Sequence, residues 1–115
     1  MSKTDPDIVV QAPGDVEVDS RASNVTAKSS LGPLPPPPHP KSHVHVMMHA
    51  PEYLLTDRGQ QEIQRAAAEA GAGTGEFTVQ FQHATAVRSE VLDSLTAAGR
   101  REGVRRIRVV VDRRG

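Results

Sequence analysis

Three short stretches of this chain alternate between apolar and polar side chains, and two stretches with helical spacing separate them. From His43 to Met48, the residues Val44, Val46 and Met48 share one side and His43, His45 and Met47 the other, the pattern of a half-buried strand. Phe77, Val79 and Phe81 alternate with Thr78, Gln80 and Gln82 in the second stretch. In the third, Arg105 to Asp112, Ile107, Val109 and Val111 are set against Arg106, Arg108, Val110 and Asp112. After the first strand, Ala50-Pro51-Glu52 reads as a turn. A helix follows, capped by Thr56 or Asp57, with Gln60 placed to reach back if Asp57 is the cap. Its stripe is Ile63, Ala66, Ala67 and Ala70, and the glycines from Gly71 to Gly75 end it. A second helix is predicted over about Ala86 to Glu102, with Val87, Val91, Leu95 and Ala98 on one face, Leu92 beside them, and Gly103 suited to a left-handed cap.

A strand buried on both faces reads as a continuous apolar run, so alternation in all three predicts a sheet covered on one side only. The expected fold class is therefore α/β: an α+β two-layer sandwich of order β-α-β-α-β, with a three-stranded sheet and both helices on one face. A ferredoxin-like arrangement that lacks or borrows a strand is the alternative. Residues 43–115 form this small domain. Residues 1–42, rich in Ser, Asp, Pro and Gly, are expected to be a disordered Pro-rich arm, too poor in apolar surface to offset the entropy of ordering. Within it Pro35 to Pro38 favour a polyproline II spacer. One exception is the β-prone segment 7–19, with short runs around Pro13-Gly14 that suit a hairpin or strand addition to a sheet edge.

Composition narrows the function classes. Fourteen basic and fourteen acidic residues give a formal net charge of zero, so no global field draws nucleic acid or membrane. No cysteine is present, which removes disulfides, thiolate metal sites and cysteine nucleophiles. No apolar run approaches the roughly 18 residues of a membrane span, and "MSKTDPDIVV" lacks a signal-peptide core, so a cytoplasmic protein with no membrane partner is expected. Eleven of the fourteen basic residues are arginine, a coding bias that suggests a bacterial or phage source.

The core expected from these elements is thin: Phe77 and Phe81 are the two phenylalanines, Tyr53 the one tyrosine, and the first helix offers mostly alanine. Small single cores need a staple or a partner. The expected function is thus a non-enzymatic protein-interaction or assembly module that self-associates or docks on a larger protein. Its candidate surface is the uncovered sheet face, with His43, His45, Met47, Thr78, Gln80, Gln82, Arg106 and Arg108, together with Ile107, Val109 and Val111 as an apolar edge strand. Two alternatives use other residues. A nucleic-acid-binding or regulatory protein would use Arg100, Arg101, Arg105, Arg106, Arg108 and Arg113 against phosphate. A metal-binding module would hold zinc or nickel with His43, His45, His49 and Glu52, although no cofactor is expected by default. No enzyme is expected: Ser89, Ser94, His83, Glu90 and Asp93 supply triad chemistry without a positioned nucleophile, and the Gly71–Gly75 run precedes a strand, whereas phosphate loops open a helix.

Overall fold

A computed structural model of the chain describes residues 5–12, 16–19, 25–29 and 44–111. The expected strands and helices form: β4 (Val44–Met48), α2 (Asp57–Ala72), β5 (Glu76–Phe81), α3 (Ser89–Glu102) and β7 (Arg106–Val111). Added to them are β1 (Asp7–Ala12), β2 (Glu17–Val18), β3 (Val25–Ser29), the single helical turn α1 (Pro51–Leu54) and β6 (Ala86–Val87). The main sheet has five strands in the order β3-β1-β7-β5-β4, and every pair in it is parallel. A mixed α/β fold with a parallel sheet is thus present, but with five strands, not three.

Local chemistry explains the helices. The Thr56 hydroxyl accepts the backbone N–H of Gly59 at 3.1 Å, so Thr56, not Asp57, is the cap of α2. Gln60 does not close a capping box. Its side-chain amide donates instead to the Leu54 carbonyl at 2.8 Å and to the Ser94 hydroxyl, tying α2 to α3. α3 stops at Gly103, whose φ of 76° lies in the left-handed region, and Arg100 and Arg101 in its last turn complement the helix dipole. It starts at Ser89, later than expected, because Ala86 and Val87 extend as β6 and pair in parallel with β2. Val87 satisfies a helical stripe and a strand equally well, and its pairing with Val18 decides the matter.

Progression from β4 through β5 to β7 moves one strand at a time in one direction, as same-side helices joined by right-handed crossovers require. α2 packs on β4 and β5, and α3 packs on α2 and β7. The covered face buries Ile8, Val10, Phe77, Val79, Phe81, Ile107 and Val109, with Ile63, Ala67, Val91 and Leu95 of the helices against them.

The largest correction concerns the segment before the prolines. β1 lies against β7 along its length, with Ile8 opposite Ile107 and Val10 opposite Val109, and β3 lies outside β1. Ile107, Val109 and Val111 are therefore not an edge available to another chain: β7 is the middle strand, held by β1 on one side and β5 on the other. The physical reason is the thin core itself. Ile8, Val10, Ala12, Val16 and Val25 join the core cluster and supply, from within the chain, the apolar surface that the central elements lack. α3 approaches this end of the sheet closely, since a Cβ on Gly99 would meet Cγ of Pro6 at 2.7 Å. The β-prone segment 7–19 is thus strand at 7–12 and 17–18, each pairing in parallel and not as a hairpin. Pro35 to Pro38 lie outside the described residues.

No helix among the described residues is long and apolar enough to cross a membrane.

Ile8→Ala should destabilise the protein by about 2–5 kcal/mol, the range for truncating a fully buried isoleucine. Urea unfolding followed by circular dichroism measures it. A dispensable N-terminal arm would give no change.

Candidate functional site

The second sheet face has no described helix over it. In-register pairing sets its side chains in cross-strand rows. One row runs His45, Thr78, Arg108, Val9 and Thr26, and the next Met47, Gln80, Val110 and Gln11. A third places Arg106 between Glu76 and Asp7. Burial in these rows follows position. Thr78 and Val110, on central strands and flanked by longer side chains, are buried, whereas His45, Met47 and Arg106 are exposed.

Hydrogen bonds knit the β4 side of this face. His45 Nε2 and Gln80 Oε1 are 3.0 Å apart, and the Gln82 side-chain amide donates to the Met47 sulfur at 3.0 Å. On the β1 side, Gln11 Oε1 is shut off from solvent with no hydrogen-bond partner, the one such side-chain atom among the described residues. A shielded carbonyl oxygen without a donor costs about 1–3 kcal/mol.

Of the residues expected on this face, His45, Gln80, Gln82, Arg106 and Arg108 are all on or beside it, and His43 lies outside the described residues. Two described strands are outer: β3, paired with β1 alone, and β4, paired with β5 alone. Beside β4 runs a groove lined by Val44, His45, Val46 and Met47 of that strand and by Glu62, Arg65, Ala66 and Glu69 of α2. Met47 is 55% exposed, and with Leu55 it is one of two large apolar side chains so placed among the described residues. Sequence reasoning put the edge on the wrong strand. Both β4 and β7 are alternating and apolar, and only the non-local pairing of β1 distinguishes them.

The metal set His43, His45, His49 and Glu52 is not assembled by the described residues. Four residues of strand separate His45 from His49 by about 13 Å, and no group of three or more His, Asp or Glu side chains among the described residues is placed to hold a metal ion. His49 instead faces His83, with ring centroids 4.8 Å apart and planes tilted by 59°, at the carboxyl ends of β4 and β5. That pairing was legible only once β4 and β5 were known to be parallel neighbours.

The arginines expected to contact phosphate are divided among the end of α3, the turn after it and β7. Arg100 and Arg101 end α3, with Arg100 3.7 Å from the Asp5 carboxylate, while Arg106 is flanked in register by Glu76 and Asp7. Arg105 donates to the Thr74 carbonyl at 3.0 Å. Arg113 lies outside the described residues. Of the residues with triad chemistry, Ser94 is engaged by Gln60 between the helices.

A second groove lies at the carboxyl end of the sheet, lined by Glu17 to Asp19 of the β2 segment and by Ala86 to Glu90 at the start of α3. It was not anticipated, because it exists only through the pairing of β2 with β6. Comparisons with protein-family models, with curated proteins and with solved structures give no match to this chain.

Gln11→Met should raise stability by about 1 kcal/mol, by removing a shielded acceptor while keeping the side-chain length. A shift of the urea midpoint to higher concentration checks it. Destabilisation would mean that the amide is satisfied in solution.

Proposed function

We propose that this chain is a non-enzymatic docking and assembly module, which joins a protein partner through the β4 margin of its sheet. The observation that carries this reading is β4: an outer strand, paired on one side alone among the described strands, with the exposed Met47 on it and a groove between it and α2. A strand edge offers a row of backbone donors and acceptors, the standard template for strand addition, and an adjacent groove adds side-chain specificity. The polar groups of the second face support the same reading, since Arg106, His45 and Gln80 sit in three successive cross-strand rows of a sheet.

A photo-reactive amino acid at position 47 tests the proposal. Irradiation of cells that express the full chain should give a discrete cross-linked species, either a chain dimer or an adduct with one other protein, and the same probe at the exposed position Gln64 on α2 should give less of it. A diffuse or absent product at position 47, together with a chain that sediments as a monomer at micromolar concentration, would overturn it.

A further inference from the structure

We infer that the partner at the β4 margin is a second copy of this chain, joined by antiparallel pairing of β4 with β4 and of α2 with α2; this rests on the reading that β4 is the docking edge. Two independent features converge on it.

The first is spacing. α2 packs across both β4 and β5, and strands lie about 4.8 Å apart, so the helix axis sits about 2.4 Å inboard of β4. A second β4 added about 5 Å beyond the edge brings its own α2 to about 10 Å from the first, within the usual contact distance of packed helices. One twofold axis normal to the sheet therefore satisfies the strand edges and the helices together, and the sheet continues from one chain into the next.

The second feature is charge. Arg58, Glu62, Arg65 and Glu69 are spaced four, three and four residues apart and make one exposed stripe of alternating sign along α2. Glu62, Arg65 and Glu69 of this stripe border the groove. Such a stripe also supports pairs within the helix, so the charges alone name no partner; its position over the β4 margin does. Reversal about the point between Ile63 and Gln64 sets Glu62 opposite Arg65 of the second copy and Arg58 opposite its Glu69. All four contacts join opposite signs. A parallel copy in register would set like against like. Exposed Met47, on the same margin, gains cover from the added strand.

Glu62→Arg and Arg65→Glu test this in the full chain, because both positions are exposed and outside the core. By sedimentation velocity at micromolar concentration the unaltered chain should be a dimer. Either single reversal should weaken dimerisation about tenfold or more, as two attractive contacts become repulsive. An equimolar mixture of the two variants should regain it, since every cross-contact is then of opposite sign. Circular dichroism that matches the parent shows that the loss is not unfolding. A dimer indifferent to both reversals, or a mixture that fails to regain affinity, overturns the inference. So does a monomeric chain whose position-47 probe captures a different protein, and in that case the docking role of β4 stands.

Discussion

β7 carries Val109, Val110 and Val111 in succession, so both of its faces and both of its edges have to be dealt with. One face goes under the helices. One edge goes to β5, and the other goes to β1, the first strand of the chain. The rest of the structure hangs on that last pairing. It places Ile8 and Val10 beside Ile107 and Val109, completing a row of apolar contacts from β4 to β1 that neither helix could supply alone. It also closes the second edge of β7, which leaves β3 and β4 as the outer strands among those described.

The central elements were legible because their signals are local. Phe77, Val79 and Phe81 mark a strand whatever surrounds them, and Ile63, Ala66, Ala67 and Ala70 mark a helix face. Strand order was not legible, because it depends on residues far apart in sequence. The β-prone character of Asp7 to Asp19 was visible, but nothing in "DIVV" says that its neighbour is "RIRVVV". β3, in "VTAKS", gave no signal of its own; it is short, ends in polar residues, and gains strand structure by lying against β1.

The candidate surface divides in the same way. That His45 and Met47 point away from the covered face followed from alternation alone. The bonds from His45 to Gln80 and from Gln82 to Met47 required the register of β4 with β5. The stripe on α2 shows the converse case: its charges are plain in the sequence as a solvated helix face, and only the fold shows that Glu62, Arg65 and Glu69 border a groove beside the outer strand β4.

The placement of β1 beside β7 also sets the order of events during synthesis. The ribosome releases β1 before any other described strand and β7 after all of them, so β1 can meet β3 early but has to wait for β7 while the intervening elements emerge. Contacts that span so much of the chain close slowly, because the entropy of the enclosed loop is lost before the contact gives anything back. Chains that stop short of β7 therefore lack the strand that joins β1 and β3 to β5 and β4, and the sheet is left in two halves.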